Sequence, residues 1–384
     1  MKKFLALMLA LVMVLSLAAC GGNTNTETTE PVTDGGEEVA EVAMKVAMIT
    51  DYGDITDQSF NQTTYEAAKA WSEANGVEFN YFKPASDSDD DRVAMIEKAI
   101  DEGFNVIVMP GYAFAAAIAK TAPEYSDVTF VALDVSEYDL TTAGLATLPA
   151  NLYSAVYQEE LAGYMAGYAA VKLGYTKLGF LGGMAVPAVQ RYGYGFVQGA
   201  DAAAAADGKT DVAIKYAYGN QFYGDADITA AMDTWYADGV EVVFACGGGI
   251  FTSAGEAAAK VEGAKVIGVD VDQAATIDGS YGEGMTVTSA MKGLGATVNT
   301  LLSETAAGNW DNFGGKVETL GLVGVEPEAN YVQIAPSTQF ADGFTAEDYA
   351  ALVAKMFNGE VTVSNAIEAM PATSVTVVDA GSIK

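Results

Sequence analysis

Three aspartates stand directly behind short apolar runs: Asp51 after residues 45–50, Asp134 after the run that begins at Val128, and Asp270 after residues 265–269. A fourth run, residues 240–245, gives way to Cys246-Gly247-Gly248. Ionised carboxylates only accept hydrogen bonds, and they accept them strongly. Three of them around one point suit a small molecule with several hydroxyl or amide donors, and glycine there lets main chain approach it closely. An aspartate behind a strand also serves as the cap of the following helix, and each of the three taken alone supports that reading equally. Paired carboxylates can cleave glycosidic bonds as well, which keeps a hydrolase built on Asp51, Asp134 and Asp270 in view.

Other chemistries lack their residues. The chain has no histidine, which removes the commonest general base and the usual metal ligand together. A Ser-His-Asp or Cys-His site is excluded, and a zinc site would need carboxylates alone. Gly314-Gly315-Lys316 is followed by Val317 rather than Ser or Thr, so it is not a phosphate-binding loop of that type. Asp87-Ser88-Asp89-Asp90-Asp91 lacks the turn glycine and closing glutamate of a calcium loop and reads as a solvated helix start. No cofactor, metal or catalytic group is assigned; the pattern reads as a binder rather than an enzyme. A net charge of −32 makes nucleic acid and anionic surfaces poor partners for the folded body.

The elements that must position these residues alternate along the chain. Strand-like runs at 45–50, 78–82, 106–109, 128–134, 177–181, 213–218, 240–245 and 265–269 are separated by helix-like stretches at 59–74, 90–102, 112–122, 189–206, 228–237 and 253–263. Strand, helix, strand at this spacing predicts parallel sheets with right-handed crossovers. An alanine-rich segment at 153–173 separates two such series, so the fold class is α/β with two doubly wound lobes. Lobe I is expected at 44–150 with part of 285–310, and lobe II at 151–284 with part of 311–384. Ligands of such folds sit beyond the carboxyl ends of the strands.

The start of the chain points to a compartment. Lys2 and Lys3 precede an apolar run and then Leu17-Ala18-Ala19-Cys20, the layout of a secretory signal over 1–19. That tetrapeptide resembles a bacterial lipobox, which makes Cys20 the expected lipidation site and a lipid anchor the expected attachment to the membrane outside the cytoplasm. Residues 20–43 are polar and acidic and read as a tether. Cys246, alone after Cys20, lies in an apolar run and is expected to be buried.

The stretch Asp51-Tyr52-Gly53-Asp54-Ile55-Thr56-Asp57-Gln58-Ser59-Phe60-Asn61-Gln62 resembles the signature of the basic membrane protein family of solute-binding lipoproteins, whose members include purine nucleoside receptors. The likeness continues through Glu102-Gly103-Phe104, residues 130–134, residues 179–183 with Val186-Pro187, Gly195-Phe196 and Gly199, residues 245–249, Ile267-Gly268-Val269-Asp270 and Ser289-Ala290-Met291-Lys292. It implies a type I periplasmic-binding-protein-like fold, with lobes joined by hinge crossovers expected near Ala150 and Met285. It also implies a nucleoside ligand, an ABC permease and ATPase as partners, and a monomer. Phe60 is implied to stack on the base, with either Phe222 or Tyr223 on the other face. Asp51, Asp57 and Asn61 are implied to line the first-lobe side. Asp134 and Asp270 would accept from ribose hydroxyls or base nitrogens, Gly248 would offer backbone, and Lys292 would contact the sugar or pair with an aspartate. Apart from the resemblance, the alternatives stay open: Phe60 as a core residue of the first helix, Lys292 as a surface lysine opening a helix over 292–305, and a sugar or signalling molecule as the ligand of the same fold.

Overall fold

A computed structural model describes residues 43–384. The expected signal peptide, Cys20 and the tether to residue 42 lie outside the described residues. Val-Ile-Val-Met-Pro at Val106–Pro110 is buried at every position, as a parallel strand covered by helices on both faces must be. The same logic runs through the first half: β1 Lys45–Ile49, α1 Phe60–Asn75, β2 Glu78–Phe82, α2 Asp89–Asp101, β3 Val106–Pro110, α3 Ala115–Thr121, β4 Thr129–Leu133, α4 Glu137–Thr142 and β5 Leu152–Tyr157. Helix starts follow local chemistry. Ser88 accepts from the Asp91 amide, and three aspartates fill the first turn of α2, where the helix dipole favours them.

The second half contains α5 Glu159–Lys172, β6 Lys177–Gly182, α6 Pro187–Asp207, β7 Ala213–Tyr218, α7 Ala226–Ala237, β8 Val242–Cys246, α8 Phe251–Ala258, β9 Lys265–Asp270, α9 Ala274–Tyr281 and β10 Thr286–Lys292. Then come α10 Leu294–Ala306, β11 Lys316–Leu320, β12 Val332–Ile334, α11 Ala346–Phe357 and β13 Thr376–Ser382. Six strands in the order β11-β5-β4-β3-β1-β2 form one sheet, and seven in the order β12-β10-β9-β8-β6-β7-β13 form the other. All pairings are parallel except β10 with β12. These are the two doubly wound lobes expected. No helix among the described residues is long and apolar enough to cross a membrane.

Strand membership corrects the expected boundaries. The break placed at residue 150 falls one strand early, because β5 pairs with β4 in the first sheet. Within the expected shares, α10 from 285–310 packs on α1 of lobe I and β12 and β13 from 311–384 join the second sheet, whereas β10 also lies in the second sheet and β11 in the first. The crossings therefore follow Tyr157, Lys292 and Leu320 rather than Ala150 and Met285. The helix expected over 292–305 starts at Leu294, since Lys292 closes β10. Which sheet a strand joins is decided by a partner distant in sequence, which no local pattern encodes.

Main-chain hydrogen bonds fasten the crossings together: the Gln158 amide donates to the Leu320 carbonyl at 3.0 Å, Tyr331 to Gly321 at 3.0 Å and Gly293 to Tyr331 at 2.7 Å. Behind them α5 and α6 meet backbone to backbone. A Cβ on Gly163, Gly167, Gly195 or Gly199 would fall 2.0 to 2.1 Å from a carbonyl oxygen of the facing helix, so only glycine permits this crossing.

Candidate functional site

A cavity of about 870 Å³ lies between the carboxyl ends of the two sheets. Each strand order reverses once, between β1 and β3 and between β6 and β8, and such switch points open a crevice. Asp51 and Gly111 stand at the first reversal, and Cys246 and Gly247 at the second; all four line the cavity. Cys246 is buried, as expected.

The ten residues picked out in the sequence all line this cavity, but they are held differently. Asp51 Oδ1 accepts from the amides of Tyr52 at 2.6 Å and Gly53 at 2.7 Å. Asp57 accepts from the amides of Ser59, Asn61 and Gln62 at 2.9, 2.9 and 3.0 Å and from Asn61 Nδ2 at 3.1 Å. Asp57 is thus the true cap of α1. Asp134 and Asp270 cap no helix. Both adopt left-handed backbone, with φ of 61° and 65°, a conformation that costs a residue with a Cβ about 1 kcal/mol. Asp270 Oδ2 accepts from Ser59 Oγ at 2.6 Å across the cleft.

Lys292 is the centre of the site. It is only 5% exposed, which excludes the reading as a surface lysine. Its Nζ lies 2.5 Å from Asp134 Oδ2, 3.5 Å from Glu159 Oε1 and 3.7 Å from Asp270 Oδ1. The same ammonium sits 4.6 Å from the centroid of the Phe60 ring and 5.8 Å from that of Tyr192. Burial alone would push its pKa down, but Asp134, Asp270 and Glu159 together raise it and keep it charged. Burial pushes Asp134 up to about 6 against the pull of Lys292, with Glu159 and Asp270 adding to the rise. A second cation, Arg191, binds Glu159 at 2.7 Å. Beside it Glu160 is pushed up to about 7, chiefly by burial. Asp134 Oδ1, Asn61 Oδ1 and the Tyr192 hydroxyl are buried with no hydrogen-bond partner among the described residues, so each has unused capacity at the site.

The aromatic walls differ in depth. Phe60 is half-buried at the start of α1 and also packs against the core. Phe222 lies on a glycine floor: a Cβ on Gly183 or Gly247 would fall 2.4 or 3.1 Å from its ring. Tyr223 is 62% exposed at the rim, bridged to Gly249. Gly248, in left-handed backbone at φ 54°, continues that floor. Sequence reasoning missed Glu159, Glu160, Arg191 and Tyr192. The acidic pair opening α5 was the available signal, because such residues favour a helix start.

Further contacts bridge the lobes around the cavity. Tyr52 Oη lies 3.5 Å from Met184 Sδ, and Gln273 Nε2 donates to the Gln58 carbonyl at 3.1 Å. Two doubly wound lobes closed on a polar and aromatic cleft define a solute-binding clamp.

Residues 44–342 match the Bmp family, described as ABC transporter substrate-binding protein PnrA-like, and the chain belongs to it. It is 28% identical over 331 residues to the ABC transporter nucleoside-binding protein BmpA of Lactococcus lactis subsp. cremoris, covering 82% of this chain and 87% of that one. It is 26% identical to basic membrane protein A of Borreliella afzelii, covering 83% and 91%. Among solved structures, an ABC transporter solute-binding protein from Aeropyrum pernix K1 superposes with a TM-score of 0.63 at 22% identity, over 84% of this chain and 87% of that one. That likeness concerns the fold. The family relatives are substrate-binding proteins, so a small-molecule ligand, transporter components and work outside the cytoplasm follow for this chain.

Proposed function

We propose that the protein captures a nucleoside, purine in preference, between its lobes and delivers it unchanged to an ABC permease and its ATPase. One observation carries this reading: Phe60 from one lobe and Phe222 from the other flank a cavity at whose depth Asp134, Lys292 and Asp270 converge. A flat base held by aromatic faces gains stacking beyond its area burial and leaves its sugar to the polar groups. In this reading Phe222 is the inner ring and Tyr223 closes the rim. Asp134 and Asp270 accept from hydroxyls or base nitrogens, Gly248 offers backbone, and Asp51, Asp57 and Asn61 shape the first-lobe wall. The name of the Lactococcus lactis relative supports the ligand class. So does charge: seven acidic side chains against three basic ones line the cavity, which disfavours a phosphorylated ligand.

Closure follows because a ligand touching both lobes binds the closed state better than the open one. Attachment through acylated Cys20 and a monomeric state complete the proposal. Mass spectrometry of small molecules released on denaturing the purified protein, followed by calorimetric titration with inosine, adenosine, glucose and myo-inositol, tests it. Saturable binding of a nucleoside with the base still attached after incubation is expected. Binding of a sugar alone would replace the nucleoside reading, and release of free base would make the protein a hydrolase. Cys20→Ser should move the protein from the detergent phase to the aqueous phase.

A further inference from the structure

The family match stops at residue 342, yet the cavity wall includes Ile367 and Glu368. After α11 the chain runs without regular structure along α6 and is pinned to it twice. Ser364 and Gln198 exchange hydrogen bonds of 2.9 and 3.0 Å, and Asp201 Oδ1 accepts from the amides of Ser374 at 2.7 Å and Val375 at 3.0 Å. Gln198 and Asp201 neighbour each other, three residues apart on a helix surface. Residues 365–373 therefore form a loop whose two ends are held side by side. Three to four extended residues span roughly 10–14 Å, about two turns or more of helix. That reach takes the loop tip from Gln198 toward Arg191, another residue of the wall.

The chain then adds β13 to β7 and closes on the segment that carries Phe222. Asn220 Nδ2 donates to the Lys384 carbonyl, and Ser382 Oγ donates to Asn220 Oδ1 at 3.4 Å. The Lys384 ammonium pairs with Asp225. Asp225 also caps α7 and accepts from Gln221 Nε2 at 2.9 Å. One continuous segment thus furnishes part of the wall and tethers the aromatic loop opposite Phe60.

We propose that residues 359–384 are a strap that finishes the ligand cavity: Ile367 and Glu368 are specificity-determining wall residues, and Lys384 positions the Phe222 loop through Asp225. The nucleoside reading enters only through the choice of inosine as probe. The test uses the full chain. In Ile367→Ala/Glu368→Ala, stopped-flow fluorescence should show inosine leaving about tenfold faster, with association changed less than about threefold, as for a lost wall contact rather than a lost fold. In Lys384→Ala, without added nucleoside, amides of residues 220–225 should lose protection from hydrogen exchange, and Lys384→Arg should restore it. Inosine dissociation unchanged in the double variant overturns the wall role. Unchanged amide protection in Lys384→Ala overturns the positioning role. If the wild-type protein binds adenosine but not inosine, adenosine replaces it as the probe; if it ignores both, the nucleoside reading fails, and the exchange experiment decides the strap.

Discussion

Asp57 and Asp270 line the same cavity from opposite lobes, and the groups that satisfy them differ in kind. Asp57 is saturated by amides at the start of its own helix, within five residues of itself. Asp270 is answered by Ser59 and Lys292, the first of them 211 positions away. Asp51 sides with Asp57, and Asp134 with Asp270. The first pair fixes the shape of a loop. The second pair holds a buried charge cluster in strained backbone, with one carboxylate oxygen left unpartnered. In the proposed reading, identical side chains on one surface therefore divide into framework and ligand-facing groups according to what already occupies their lone pairs.

Lys292→Met strikes the cluster hardest, because three carboxylates lose their shared cation. Removing one partner of a buried ion pair costs about 3–5 kcal/mol, and urea unfolding should show a loss of that size together with loss of ligand binding. A wild-type midpoint in this variant would dissolve the distinction between the two pairs. Phe60→Ala should weaken nucleoside binding by about 1–3 kcal/mol in calorimetry, with a smaller effect on stability. Asp57→Ala should cost about 1 kcal/mol of stability through its cap, and it should lower ligand affinity less than Asp270→Ala does. The reverse ranking would exchange their roles.

The smallest effect concerns Glu160. Its pKa in the folded protein, about 7, lies above the ordinary value of 4.5. Between those limits the folded state keeps a proton that the unfolded chain has released, so this group's contribution to stability falls as pH rises. Glu160→Gln should flatten that slope and raise the melting temperature above pH 7 by about 2 °C. Scanning calorimetry at pH 5 and pH 8 checks both the sign and the size.

What was legible in the sequence followed the same division. Runs such as residues 106–109 announce buried strands because both faces of a parallel sheet are covered. Their ends locate Asp51, Asp134 and Asp270, since topology alone carries such ends to one crevice. β5 was hidden because Leu152–Tyr157 runs into alanine-rich α5 with only Gln158 between them. Lys292 looked like a surface residue because its partners Asp134 and Glu159 lie far away in the chain. Capping is written in neighbouring residues. A charge cluster assembled from several strand ends is written in none of them, and its recognition came from family likeness rather than from physics.

The stitched crossings have a mechanical consequence. Three ribbons joined side by side by their amides cannot flex separately, so the lobes share a single axle. Glu159 and Lys292 each adjoin a stitched residue, Gln158 and Gly293, which places the ammonium beside the pivot. Opening the jaws would part the outlying clasps, Ser59 from Asp270 and Tyr52 from Met184, while the charge at the pivot hardly travels.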